Sequence, residues 1–232
     1  MTLSGTKTIK KVVCIGDSVT EGYGISQDAT APYPAQLQMI LGEGYQVVNE
    51  GLSCTCTINR KRDGRTVGMP YVLQENWSRA LEEKADIYVV MLGSNDAQNG
   101  YNEEEDHPDI YNDVFAFRSC FTEDYMKMIR ELQKNVPGAR IVSASPLPVM
   151  ESIWRKHQQI YLLDILRQLY QIWEKVPELV TADVQSAFMD LDYGERRGLY
   201  QADNTHPNRQ GAGLIAQCIG KAILKDQENY TG

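Results

Sequence analysis

Apolar positions along the chain follow two rhythms. Short runs rich in β-branched residues, at 11–15, 46–48, 87–92, 140–144 and 179–182, alternate with longer segments whose apolar residues recur at helical spacing. That alternation is the pattern of a parallel sheet covered by helices on both faces, an α/β fold. Among the helical segments, Pro34 suits a first turn and Gly42 a C-terminal stop. Further on, Tyr125, Met128, Ile129 and Leu132 repeat at the i, i+3, i+4, i+7 spacing of one buried face. Residues 160–176 and 211–224 complete the predicted helices. The pattern breaks at 99–119, where Glu103-Glu104-Glu105-Asp106 and Pro108 predict an exposed loop after the third strand. Neither an internal repeat nor a low-complexity tract interrupts the order, and 232 residues fit one domain spanning 1–232.

Composition narrows the function classes. With 42% hydrophobic and 23% charged residues the chain reads as globular, and no apolar run approaches the about 18 residues that cross a bilayer, so no membrane span is expected. A net charge of −8 argues against a nucleic-acid partner, which calls for a basic stripe. Lys7, Lys10 and Lys11 precede a strand rather than a signal-peptide core. The expectation is a cytoplasmic protein, or an exported one whose leader has been removed. Five cysteines cannot all pair within one chain, and Cys14 and Cys218, set among apolar neighbours, read as small core residues.

Four short motifs carry candidate chemistry. The first strand ends in Gly16-Asp17-Ser18-Val19-Thr20-Glu21-Gly22, which sets a serine hydroxyl at a tight strand-to-loop turn. Near the other end, Asp203-Asn204-Thr205-His206-Pro207 spaces a carboxylate and an imidazole so that one ring nitrogen is held and the other left free, as a general base requires. After the second strand comes Asn49-Glu50-Gly51-Leu52-Ser53, and after the third Gly93-Ser94-Asn95-Asp96. A glycine N–H and an asparagine amide are donors suited to an oxyanion. Each motif alone has a plainer reading as a cap or turn. Together they gain weight, because Ser18, Gly51 and Asn95 all follow the carboxyl ends of predicted parallel strands, where open α/β sheets place their ligand crevice.

The ordered set Ser18, Gly51, Asn95 and His206, in these contexts, resembles the SGNH hydrolase superfamily, also called GDSL esterases, over residues 11–224. The resemblance implies a flavodoxin-like three-layer α/β/α fold with a five-stranded parallel sheet. It also implies a Ser18–His206–Asp203 triad and an oxyanion hole from the N–H groups of Ser18 and Gly51 plus the Asn95 amide, with no metal or organic cofactor. The chain departs from the pattern at Ser53-Cys54, where many relatives place glycine after the serine. Within the superfamily, Pro70-Tyr71 through Ala80-Leu81, then Ala85-Asp86, resembles esterases that remove acetyl groups from carbohydrates, including sialate and xylan O-acetylesterases.

The expected activity is hydrolysis of small acyl esters, acetyl above all, on a carbohydrate or other small-molecule alcohol. A lysophospholipase or acyl-thioesterase with the same triad, and a non-catalytic glycan-binding relative, are the alternatives. Rival sites are poorer. Gly22-Tyr23-Gly24 lacks the third glycine of a dinucleotide fingerprint, the three histidines lack zinc-helix spacing, and no motif supplies a base for Cys54 or Cys56. Tyr71, Trp77, Tyr101 and Trp154 are candidate rim aromatics for stacking on a sugar, with packing beneath loops as the competing reading.

Overall fold

The computed structural model describes residues 9–98, 117–150 and 156–231. Its strands are β1 (Lys10–Gly16), β2 (Tyr45–Gly51), β3 (Ile87–Met91), β4 (Arg140–Ala144) and β5 (Val180–Ala182). They pair in parallel in the order β2-β1-β3-β4-β5. β1 has a neighbour on each edge, with Val12 opposite Val47 on one side and Ile87 on the other. Helices cover both faces, so Val12, Val13, Cys14 and Ile15 are all fully buried, which is why the run reads as apolar without alternation.

The period of two still sorts the strand residues. Val13, Ile15, Tyr88, Val90 and Ile141 point into one core, whereas Val12, Cys14, Ile87, Val89, Met91 and Val142 point into the other. The first core is closed by helices α3 (Glu75–Glu82), α5 (Phe121–Asn135) and α6 (Lys156–Lys175). The second is closed by α2 (Tyr33–Leu41), α7 (Val184–Met189) and α9 (Arg209–Thr231). Tyr125, Met128, Ile129 and Leu132 of α5 are buried as their spacing requires. Burial at roughly 1.5–3 kcal/mol per large side chain outweighs the small propensity differences among them. Pro34 lies in the first turn of α2, and Gly42 caps its end. These are the three layers expected of the chain.

The observed elements depart from the apolar pattern where polar residues are held by specific partners. β2 runs to Gly51 rather than stopping at Val48, because the buried Glu50 carboxylate receives Arg79 Nε at 3.0 Å and Nη2 at 2.9 Å. α3, α7 and the short α8 (Tyr193–Arg197) carry too few apolar positions to show a period. A hairpin, Lys61–Arg62 against Arg65–Thr66, turns at Asp63-Gly64. All five cysteines are free; Cys14 is buried and Cys218 partly so. Tyr71 and Trp77 are buried, and the Tyr71 hydroxyl donates to the Glu50 carbonyl, so both pack beneath the surface rather than rim a crevice. The loop expected at 99–119 lies outside the described residues as far as 116, and Tyr101, His107, Ile153 and Trp154 lie outside them too. Among the described residues no helix is long and apolar enough to cross a membrane.

Candidate active site

The sheet order reverses between β1 and β3, since β1 is followed in the chain by β2 on one side and by β3 on the other. Open α/β sheets bind ligands at such a switch point, beyond the carboxyl ends of the strands. Ser18 stands directly after β1, and Asn95 follows β3 by a few residues.

Ser18 is not in a loop, as expected, but opens a one-turn helix, α1 (Ser18–Glu21). The Asp17 side chain caps this turn by accepting the Val19 N–H at 3.0 Å. The first residue of a helix has no intrahelical acceptor for its N–H, so the Ser18 amide is left free to meet an anion. A methyl group at Gly16 would lie 2.0 Å from Thr20 Oγ1 and 2.7 Å from the Met91 carbonyl, so this tight junction needs glycine.

The His206 side chain is delivered by a turn that Asp203 itself builds. Asp203 Oδ1 accepts the N–H groups of Thr205 and His206, each at 3.0 Å, and Asn204 adopts the left-handed region at φ 55°. Asparagine tolerates that conformation better than most residues. Asp203 Oδ2 then meets His206 Nδ1 at 2.7 Å, and His206 Nε2 lies 2.9 Å from Ser18 Oγ. A carboxylate can only accept, so Nδ1 carries the proton and Nε2 presents its lone pair to the serine hydroxyl. Partial burial pulls the Asp203 carboxyl upwards, but the N–H donors of His206 and Thr205 and the imidazole together hold it below the usual carboxylate range. It is therefore an anion at neutral pH.

Asn95, on α4 (Ser94–Gln98), is buried, and its amide nitrogen donates to the Thr55 carbonyl at 3.0 Å, leaving its second N–H for another acceptor. Gly51 is placed otherwise than expected. Its N–H donates to Asn49 Oδ1 at 2.9 Å, while Asn49 Nδ2 donates to the Thr20 carbonyl at 2.9 Å. A methyl at Gly51 would fall 2.2 Å from the Glu21 nitrogen. The glycine lets β2 press against α1, and its N–H is already engaged. Three residues on, Cys54 adopts φ 66°, in the left-handed region. The chain just before it is tied down: Ser53 N–H donates to Glu21 Oε2 at 2.8 Å, and Leu52 N–H to the Gly16 carbonyl at 3.0 Å.

Two buried carboxylates that sequence reasoning did not single out flank this constellation. Asp96 accepts the N–H groups of Thr57, at 2.9 Å, and Ile58, at 2.9 Å, and so anchors the chain just beyond Cys54. Burial pushes its carboxyl up to about 6 despite these donors. Burial likewise pushes Asp17 up to about 7, partly offset by the Val19 N–H and reinforced by the charge of Asp96. An acid whose pKa rises on folding favours the folded state while it is protonated. That contribution is lost as pH climbs from the unfolded value near 4 to the folded value near 7. Asp17→Asn keeps an acceptor for Val19 and removes the charge. Its melting temperature, relative to wild type, is expected to rise between pH 5 and pH 8. An equal difference at both pH values in thermal scans would contradict the burial of this charge.

No group of three or more His, Cys, Asp or Glu side chains suited to a metal ion occurs among the described residues. The Tyr23 ring lies 4.6 Å from the His206 ring, centroid to centroid, at 40°. Sequence reasoning missed it, having weighed Gly22-Tyr23-Gly24 only as a dinucleotide fingerprint.

Residues 14–214 match the model of the GDSL-like lipase/acylhydrolase family. An acetylxylan esterase of Xylanibacter ruminicola is 30% identical over 217 residues, covering 92% of this chain but 43% of the relative, so the chain spans less than half of that protein. The acetylxylan esterase of Geobacillus stearothermophilus superposes with a TM-score of 0.67 at 20% identity, covering 93% of this chain and 94% of that one. Solved forms of that esterase include catalytic mutants with alanine in place of a serine or an aspartate. A G-D-S-L family protein of Desulfitobacterium hafniense gives 0.64 at 20% identity over 92% and 99% of the two chains. At such identities the superpositions speak for the fold, while the family rests on the match along the sequence. The chain therefore belongs to the GDSL-like lipase/acylhydrolase family, within the SGNH hydrolases.

Proposed function

We propose that this hydrolase releases acetyl groups from carbohydrate esters, with Ser18 as nucleophile, His206 as general base and Asp203 as the group that orients it. The observation that carries the reading is the chain of contacts from Asp203 Oδ2 through the imidazole to Ser18 Oγ, 2.7 and 2.9 Å long. Ser18 Oγ attacks the ester carbonyl as its proton passes to His206 Nε2. The carbonyl oxygen becomes an anion, met by the Ser18 N–H and the free N–H of the Asn95 amide. With the Gly51 N–H already donating to Asn49 Oδ1, the Ser18 and Asn95 donors carry the oxyanion. Collapse of the tetrahedral intermediate breaks the bond to the alcohol oxygen, which takes the proton from His206 Nε2. Water, deprotonated by the same nitrogen, then releases acetate from Ser18.

The preference for a small acyl group is supported by the surroundings. Residues 23–30 after α1 are polar and mostly exposed, and the 61–66 hairpin is basic. Met150, in the segment after β4, is buried in the core and offers no exposed apolar wall. A long acyl chain gains binding of roughly 0.8 kcal/mol per methylene only where an apolar wall covers it. Nitrophenyl acetate is therefore expected to be cleaved with higher kcat/KM than the octanoate. Rates that climb steadily from acetate to octanoate would replace this reading with a lysophospholipase or thioesterase.

A further inference from the structure

The alcohol half of the ester must leave past His206, because Nε2 delivers the proton that the departing oxygen takes. That oxygen comes within about 3 Å of Nε2, and the carbon bearing it is one bond further out. The carbonyl oxygen points elsewhere, towards the donors of Ser18 and Asn95. Whatever carries the ester therefore passes beside the ring in contact with His206, which among the described residues is Tyr23, 4.6 Å away.

Tyr23 is built into this position. Its N–H donates to the Ser18 carbonyl at 2.9 Å, and its carbonyl accepts Gln201 Nε2 at 2.7 Å. Gln201 Nε2 also donates to the Pro207 carbonyl at 2.9 Å, and the Gln201 N–H to the His206 carbonyl at 2.9 Å. One glutamine thus braces the backbone of the aromatic residue to that of the proposed base. The Tyr23 side chain nevertheless stays 55% exposed, whereas Tyr71 and Trp77 are buried and take no part in a rim. A braced, half-open aromatic face beside the leaving-group path suits a partner with a flat C–H face and polar edges, which is the shape of a pyranose.

We infer that Tyr23 forms the leaving-group subsite and stacks against the pyranose ring that bears the acetyl ester. The inference rests on the carbohydrate acetylesterase reading above and adds the residue that selects the alcohol. Its test compares a methyl xylopyranoside acetate with ethyl acetate, whose alcohol is too small to cover the ring. Tyr23→Ala is expected to lower the ratio of kcat/KM for the sugar ester over ethyl acetate about tenfold, on the scale of one lost aromatic contact plus its buried area. Tyr23→Phe and Tyr23→Trp, which keep a ring, are expected to retain most of the ratio. An unchanged ratio in Tyr23→Ala, with both substrates slowed equally, overturns the subsite and reduces Tyr23 to a support for His206. A wild-type enzyme that shows no preference for the sugar ester overturns the carbohydrate reading itself, and the subsite with it.

Discussion

Ser18→Ala is expected to lower kcat for acetyl-ester hydrolysis by about 10⁴–10⁶-fold, the range found when a serine hydrolase loses its nucleophile. The residue is half-buried at the first position of α1, and its hydroxyl meets His206 Nε2. Alanine leaves the Asp17 cap, the packing of Val19 and Thr20 and the free N–H at this position in place. The loss should therefore fall on chemistry and not on folding, so circular dichroism and the melting temperature are expected to stay close to wild type. Steady-state kinetics on nitrophenyl acetate with freshly purified protein measure the effect. Retention of more than a few per cent of the rate would move the nucleophile elsewhere.

The second large effect belongs to Asp203→Asn, expected to cost about 10³–10⁴-fold in kcat, or roughly 4–5.5 kcal/mol of transition-state stabilisation. The two oxygens of Asp203 do different work. Oδ1 shapes the turn through the N–H groups of Thr205 and His206, and an asparagine oxygen can replace it. Oδ2 faces His206 Nδ1, and an NH₂ group there forces the proton onto Nε2, the nitrogen that must accept from Ser18. The geometry survives while the tautomer is wrong. Asp203→Ala removes both functions, and a comparison of melting temperatures for the two variants separates turn stability from catalysis. A kcat for Asp203→Asn within tenfold of wild type would assign the carboxylate to the turn alone.

Much of this arrangement is legible in the sequence because parallel strands buried on both faces must be apolar throughout and must end where the crevice begins. β1, β3 and β4 announce themselves in this way, and the serine and asparagine motifs follow the ends of the first two. Legibility fails where a polar residue is satisfied by a partner far along the chain. Glu50 looks like a loop residue beyond β2 until Arg79, 29 residues later, is found against it. Gly51 looks like a free donor until Asn49 claims its N–H, a contact only the folded backbone reveals. The buried state of Asp17 and Asp96 is hidden for the same reason, since aspartate in a turn reads as exposed. Tyr71 and Trp77 were ambiguous because an aromatic packs equally well under a loop or over a sugar. Short helices such as α7 and α8 hold too few turns for a period, although their Asp183 and Asp192 caps were readable as start signals.

The central claim is that Ser18 forms the covalent acyl-enzyme with His206 as its base. A fluorophosphonate ester reports on it directly, because phosphonylation needs an activated nucleophile and stabilisation of the developing oxyanion. The expected result, read by peptide mass spectrometry, is one adduct per chain on the peptide containing Ser18, formed in step with loss of activity. The adduct should be absent in Ser18→Ala and slowed by orders of magnitude in Asp203→Asn. Complete inactivation with the label on Cys54 or on another serine, and Ser18 unmodified, would contradict the claim.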